Sequence, residues 1–306
     1  MKKLTILVGI SNSGKSSFAH EQWMIDPLNT VIVNRDKIRE LLFGFTEQTI
    51  KEYYKLRDVH LFEKQVTRYE DTLINDGLCA DKHVIVDATH LKRGYIERFK
   101  YWNVPTEVES FNVTISEAVI RDIKRDRQVG DDVIKRQYAR FVSLYNNLKV
   151  SPIDFTPVEF VNNPKLPPTI IYDLDGTVAK MTSGRNPYDW KRVGEDTVDK
   201  SVAEVIRCIS MEYDTMQHAK VIACTGRDGV AEYETKKWLD KYGIYYDKFY
   251  IRKQGDNRPD WVIKEEIWRE IAKEHYIVGM FDDRLQVVRR ARALGIKVFN
   301  VEYNNF

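Results

Sequence analysis

Gly9, Gly14, Lys15 and Ser16 stand at the spacing G-x-x-x-x-G-K-[ST]. Glycines at these points let backbone N–H groups curl around an anion without Cβ clashes, and a helix beginning near Lys15 adds partial positive charge. Gly9, Ser13, Gly14, Lys15, Ser16 and Ser17 are therefore candidates to hold a nucleoside triphosphate, with Lys15 reaching the β and γ phosphates and Ser16 ligating magnesium. A glycine-bearing turn that fits the pattern by chance is the alternative. The apolar run at residues 4–8 and the amphipathic SSFAHEQW after the loop are the strand and helix that a phosphate-binding loop requires. The loop by itself does not say what receives the phosphate.

Further along, Asn34-Arg35-Asp36 and Asp87-Ala88-Thr89-His90 each close an apolar run. Asp36 is the candidate general base for an attacking hydroxyl, and Arg39, one turn on, is placed to hold a phosphate of the acceptor. A helix N-cap and a solvated arginine would look the same. Asp87 is open between orienting the metal, orienting the acceptor and ending a strand. Arg121 and Arg125 are spaced i, i+4, with Arg127 close behind, and two guanidiniums on one helix face can clamp a transferring phosphoryl group. An exposed helix laced with Asp122 and Asp126 explains the same residues.

A second set begins at residues 169–172, an apolar run that delivers Asp173-Leu174-Asp175-Gly176-Thr177. Carboxylates two residues apart can enter one site, where magnesium offsets their repulsion. Asp173 would attack phosphorus to form an aspartyl-phosphate, while Asp175 would protonate the leaving oxygen and then activate water. Three polar points follow in order. Thr225-Gly226-Arg227 can bind phosphoryl oxygens, Asp260 and Lys264 lie one helical turn apart, and Asp282-Asp283 can complete a magnesium shell. Taken singly these are a surface ion pair and strand-end turns; their joint appearance makes the case.

These residues need strands to present them. Apolar β-branched runs at 30–33, 84–86 and 108–115 alternate with helical patterns, as do 219–224 and 276–281 in the second half, which implies α/β architecture with parallel sheets. Ligands on such sheets collect at the carboxyl ends of the strands. Residues 47–75 read as a long charged helix whose aromatics are core or a channel border. Pro152, Pro157, Pro164, Pro167 and Pro168 crowd one stretch, predicting a domain at 1–150, a linker at 151–168 and a domain at 169–306. With 306 residues and 43% hydrophobic composition there is room for two domains. The net charge of +2, from 48 basic and 46 acidic residues, excludes a globally basic nucleic-acid binder and leaves local clusters to meet an anion. Cys79, Cys208 and Cys224 fit neither a disulfide framework nor a zinc site and read as core. No apolar stretch suits a membrane span or signal peptide, so a cytoplasmic setting is expected.

DLDGT, TGR, the DWVIK lysine and FDDR resemble the four motifs of the haloacid-dehalogenase phosphohydrolase superfamily. Taken with GISNSGKS, NRDKIR, RDIKR, GRNPYDW and RKQGDNRPDWVIKEEIW, the whole chain resembles the bacteriophage-type polynucleotide 5'-kinase/3'-phosphatase family. The resemblance implies two Rossmann-like three-layer domains, a P-loop kinase and then a dehalogenase-like phosphatase with a minimal cap. It implies that Lys15, Ser16, Asp36, Arg39 and Arg125 carry phosphorylation of 5'-hydroxyl ends of DNA or RNA from ATP, with Arg121 assisting. It likewise implies that Asp173, Asp175, Arg185, Arg227, Asp260, Lys264, Asp282 and Asp283 carry removal of 3'-phosphates, with Mg2+ at both sites. A ligase as functional partner and a homotetramer are further implications. The residues add weak support: only a short cap fits between 178 and 198, and Arg185, Arg227, Arg252, Lys253 and Arg258 are expected in loops at an open mouth, where they could track a phosphodiester backbone. The same chemistry on metabolites is the alternative, and a binding-only adaptor is a third.

Overall fold

The computed structural model describes residues 2–46, 49–125, 128–212 and 219–304. The chain folds into two units, Met1–Pro157 and Val158–Phe306. The first opens with β1 (Lys3–Gly9), α1 (Lys15–Ile25), β2 (Thr30–Asn34), α2 (Arg35–Phe43), α3 (Ile50–Tyr53) and α4 (Val59–Cys79). It continues through β3 (His83–Asp87), α5 (Arg93–Glu97), β4 (Thr106–Phe111), α6 (Ile115–Ile123) and α7 (Asp131–Val150). Its four strands pair in parallel in the order β2-β3-β1-β4. β1 is buried from Leu4 onward, as expected of a strand covered on both faces, and Leu7, Ile85 and Ala19 pack together beneath the helices.

Two local expectations differ. The run at 108–115 ends as a strand at Phe111, because Thr114 caps α6: its hydroxyl accepts from Glu117 N at 3.2 Å, and Thr114-Ile115-Ser116-Glu117 is a capping-box sequence. The charged stretch at 47–75 is divided between α3 and α4 at residues 54–58. Buried Tyr53 stacks there with Phe43 and meets Phe45 and Phe62 edge-on, which makes it core.

The second unit comprises β5 (Pro168–Tyr172), the short antiparallel pair β6 (Ala179–Lys180) and β7 (Thr197–Val198), α8 (Lys200–Glu212), β8 (Lys220–Asp228) and α9 (Glu232–Tyr242). β9 (Lys248–Arg252), α10 (Asp260–Glu274), β10 (Tyr276–Arg284), α11 (Leu285–Ala293) and β11 (Val298–Asn304) complete it. The parallel order is β11-β10-β5-β8-β9. Successive residues of β5 point to opposite faces, so Ile171 joins a core with Trp268 and Val288, while Tyr172 joins another with Trp238 and Leu239. Only β6, β7 and a 3-10 turn at Trp190–Glu195 lie between Asp175 and α8.

In both sheets the strand order reverses at the first strand, β1 or β5, which opens a crevice at its carboxyl end. Of the cysteines only Cys224 is buried; Cys79 and Cys208 are exposed, because the helices that carry them turn those positions to solvent. Among the described residues no helix is long and apolar enough to cross a membrane. Trp268 is fully buried in one core of the second unit. Trp268→Ala is expected to cost about 3–5 kcal/mol through lost contacts and a cavity, read as a lower urea midpoint.

Candidate active sites

The N-terminal site is built at the ends of β1, β2 and β3. Gly14 joins loop to helix with φ of 100°, a conformation that a side chain would strain. Lys15 is folded over the loop, its Nζ donating to Ile10 O at 2.6 Å and to Ser13 Oγ at 3.3 Å. Burial lowers its pKa to about 8; Asp87 opposes the fall and Arg125 adds to it. Ser17 is exposed in the first turn of α1, and Gly9 closes β1.

Asp87 is buried at the end of β3. Its Oδ2 accepts from Ser16 Oγ at 2.7 Å and from Asn34 Nδ2 at 2.8 Å, so its carboxylate belongs to the phosphate-loop side of the cavity. Asp36 and Arg39 stand on α2, which Asn34 caps by accepting from Lys37 N at 3.0 Å. Arg39 Nη1 donates to Asp36 Oδ1 at 2.8 Å, and its Nε and Nη2 fork onto Glu63 at 2.8 and 3.0 Å. Glu63 also accepts from Tyr53 OH at 2.8 Å. Burial works against its ionisation, yet the bonds from Arg39, Arg35 and Tyr53 hold its pKa down at about 2. Nothing in the sequence singles out Glu63, since a glutamate in a charged helix is commonplace.

The two arginines of the expected clamp converge on the loop by a different route. Arg125 lies beyond the end of α6, so no helix face is shared. Both meet Asn12: Arg121 Nη1 donates to its backbone O at 3.1 Å and Arg125 Nη1 to its Oδ1 at 2.8 Å. Asp122 is buried rather than lacing an exposed helix. It accepts from Asn12 Nδ2 at 2.8 Å and from the N–H groups of Val129 and Gly130 at 2.9 Å each, which ties the segment after α6 back to the loop. Arg127 and Asp126 lie outside the described residues. Lys15, Ser16, Asp36, Arg39, Asp87 and Arg125 line one cavity of about 750 Å³.

In the C-terminal site, buried Asp173 follows β5 and its N donates to Phe281 O at 3.0 Å. Lys264, 1% exposed, places its Nζ 2.9 Å from Asp173 Oδ1, 2.7 Å from Asp282 Oδ2 and 3.5 Å from Asp260 Oδ2. The Asp260–Lys264 pair is therefore interior, not a surface ion pair. Asp173, Asp282 and Asp283 each offer an oxygen within 4.8 Å of the others. Burial raises the pKa of Asp173 and of Asp282 in spite of Lys264; it also pushes Asp283 up to about 6, with the Asp173 charge adding. Burial opposes the charge on Lys264, but its carboxylates hold its pKa well above the ordinary value. Clustered oxygen donors with a shortage of positive charge fit a hard divalent cation such as magnesium.

The Asp175 carboxylate is outside that cluster. Arg227 forks onto it at 2.8 and 2.7 Å with Arg185 Nη2 at 3.5 Å, and these guanidiniums hold it below the usual carboxylate range despite burial. Arg185, on the loop after β6, and Arg227, within β8, are both buried rather than exposed at the mouth. Both are tied to buried Asp196, Arg185 at 2.7 Å twice and Arg227 at 2.9 Å. Asp196 sits in no motif, and only the contact reveals it. Arg252 likewise turns inward, 3.2 Å from Asp260 Oδ1, while exposed Arg258 is held by Asp256 and Glu266. Thr225 is fully buried, and at Gly226 a Cβ would run into the Asp260 carboxylate, so the backbone passes there only without one.

Residues 167–306 match the family of the polynucleotide kinase PNKP phosphatase domain, and residues 4–145 match an AAA domain. A protein of Autographa californica nuclear polyhedrosis virus described as a bifunctional polynucleotide kinase/RNA ligase is 29% identical over 98% of this chain. The chain spans 42% of that relative's length. A chain of the solved Pnkp1/Rnl/Hen1 RNA repair complex is 29% identical, covers 99% of this chain and 97% of its own, and superposes with a TM-score of 0.45.

Asp196→Ala leaves two interior guanidiniums short of a partner and is expected to destabilise the second unit by about 3–5 kcal/mol in urea unfolding. Glu63 has a depressed folded pKa, so its contribution is complete above about 4.5 and lost as pH falls toward about 2. The gap in urea midpoint between wild type and Glu63→Gln should accordingly be full at pH 5 and close as the pH is lowered through that window.

Proposed function

We propose that this chain, whose residues 167–306 belong to the polynucleotide kinase phosphatase domain family and whose residues 4–145 form an AAA-type P-loop domain, heals broken nucleic-acid ends. The N-terminal domain, 1–150, phosphorylates 5'-hydroxyl ends of DNA or RNA from ATP. Beyond a linker at 151–168, the domain at 169–306 hydrolyses 3'-phosphate ends. The observation that carries the reading is the presence, in one chain, of a P-loop cavity holding Asp36 and Arg39 and a separate aspartate cluster closed on Lys264. The short cap after Asp175 leaves room for a bulky chain end, and the viral relative's description names a polynucleotide kinase.

In the first step Lys15, the loop around Ser13 and Gly14, and Ser17 bind the donor phosphates. Arg39 holds a phosphate of the acceptor, Asp36 takes the proton of its 5'-hydroxyl, and Arg121 and Arg125 offset charge on the transferring group. Ser16 and Asp87 would hold magnesium. In the second, Asp173 attacks phosphorus: the bond to the 3'-oxygen breaks, an aspartyl-phosphate forms and Asp175 protonates the departing oxygen. Asp175 then takes a proton from the water that releases inorganic phosphate. Thr225, Gly226, Arg227 and Lys264 hold phosphoryl oxygens, Asp260 orients Lys264, and Arg185 completes the substrate contacts. Asp173, Asp282 and Asp283 would hold the second magnesium, the Asp175 carboxylate being drawn away to Arg227 and Arg185. When bound, the cations neutralise phosphate charge. Ends so prepared suit a ligase; a homotetramer, drawn from family resemblance, and a cytoplasmic setting complete the proposal.

Labelled ATP with a 5'-hydroxyl oligonucleotide, and phosphate release from a 3'-phosphate oligonucleotide, test both halves; transfer only to a metabolite panel would overturn the substrate class. Asp36→Asn should lower 5'-phosphorylation by about 10²- to 10⁴-fold and spare 3'-dephosphorylation. Asp173→Asn should do the reverse. Loss of both activities from either single change would refute two independent sites.

A further inference from the structure

Resting on the kinase reading of the N-terminal site, we propose that Tyr95 is the platform on which the terminal nucleobase of the acceptor strand stacks. One cavity contains Lys15, Arg125, Asp36, Arg39 and Tyr95 among its walls. Its volume of about 750 Å³ is ample for a nucleotide-sized ligand. The groups that bind phosphate and take the hydroxyl proton account for one part of its surface. The remainder must receive the sugar and base of the end being phosphorylated.

Three of the larger side chains on that remaining wall, Arg35, Arg98 and His90, are already committed. Arg35 is held by Glu70 at 2.6 Å and by Glu63 at 2.8 Å, and Arg98 pairs with Glu70 and, at 3.0 Å, with Asp71. His90 is buried and turns its Nδ1 to Leu7 O at 2.8 Å; burial lowers its pKa to about 4 and leaves it neutral. Among the described lining residues, Tyr95 supplies the exposed aromatic ring, with 53% of its surface accessible.

The ring stands on a fixed base. Tyr95 N donates to Lys92 O at 3.0 Å, and the next residue, Ile96, is fully buried, as is Phe99 at 1% exposure. This anchors α5 from below and leaves Tyr95 on the cavity side. Sheet order places the loop after β3 between α2, which follows β2, and the phosphate loop, which follows β1. That is where an acceptor held by Arg39 and reaching toward Lys15 must pass. The Lys92 ammonium lies over one face of the Tyr95 ring, 5.4 Å from its centroid, so the base would stack on the opposite face, with that positive charge close by for a polyanionic strand. Stacking reads no sequence, since every base has a π-face, so the subsite suits an enzyme that accepts any end.

The test compares two 5'-hydroxyl oligonucleotides, one normal and one abasic at its first residue, with wild type, Tyr95→Ala and Tyr95→Phe. Stacking of one base is worth about 1–3 kcal/mol, or roughly a 5- to 150-fold change. Tyr95→Ala should raise KM for the normal strand by that factor with KM for ATP unchanged, and Tyr95→Phe should restore it. Removing the base should cost the wild type a similar factor and cost Tyr95→Ala nothing more. Equal loss by Tyr95→Ala on both strands, or no penalty for the abasic end with wild type, would overturn the stacking role while leaving the kinase reading intact. If wild-type protein phosphorylates neither strand, the kinase reading fails and the platform with it.

Discussion

A carboxylate at the end of a buried parallel strand has lost much of its water and must be met by a donor or a cation. Both units are organised by that constraint. In the first, Asp87 is answered by the Ser16 hydroxyl and the Asn34 amide. In the second, Asp173 and Asp282 are answered by the Lys264 ammonium. The strand order reverses at β1 and at β5, so each carboxylate borders a crevice rather than a packed helix. Polar groups that would be costly in a core thereby become a site.

The first unit keeps its cations pointed before any substrate arrives. Arg39 is gripped by Asp36 on its own helix and by Glu63 from α4, which removes much of the rotamer freedom of a long side chain. Arg121 and Arg125 are fastened through Asn12 to the loop whose anion they would face. Asp122 secures the backbone that carries them. Preorganisation of this kind lowers the entropic cost of ordering a phosphoryl group among several guanidiniums.

In the second unit, two carboxylates separated by one residue are driven in opposite directions. Burial among other carboxylates raises Asp173, whereas Arg227 and Arg185 depress Asp175. The proposed chemistry needs the first ionised and the second able to carry a proton. A divalent cation at the Asp173–Asp282–Asp283 cluster would favour ionised Asp173, and phosphoryl oxygens that draw on Arg227 would ease Asp175 upward. Asp196 gives both arginines a second carboxylate partner besides Asp175.

What the sequence by itself determined was local: the glycine-lysine-serine loop between a strand and a helix, the paired aspartates after an apolar run, and the alternation that demands parallel sheets. Such signals survive in one dimension because their geometry spans a few residues of backbone. It misplaced the last residues of the run at 108–115, where a capping threonine outweighed β-branching, and it took exposed Cys79 and Cys208 for core, because helix rotation is set by what packs beneath. Only the tertiary structure disclosed Glu63 behind Arg39, Asn12 under the arginines and Asp196 between Arg185 and Arg227. Each joins groups brought together by strand order and helix packing, and a carboxylate or amide in an ordinary polar stretch has no pattern until a distant cation makes it one.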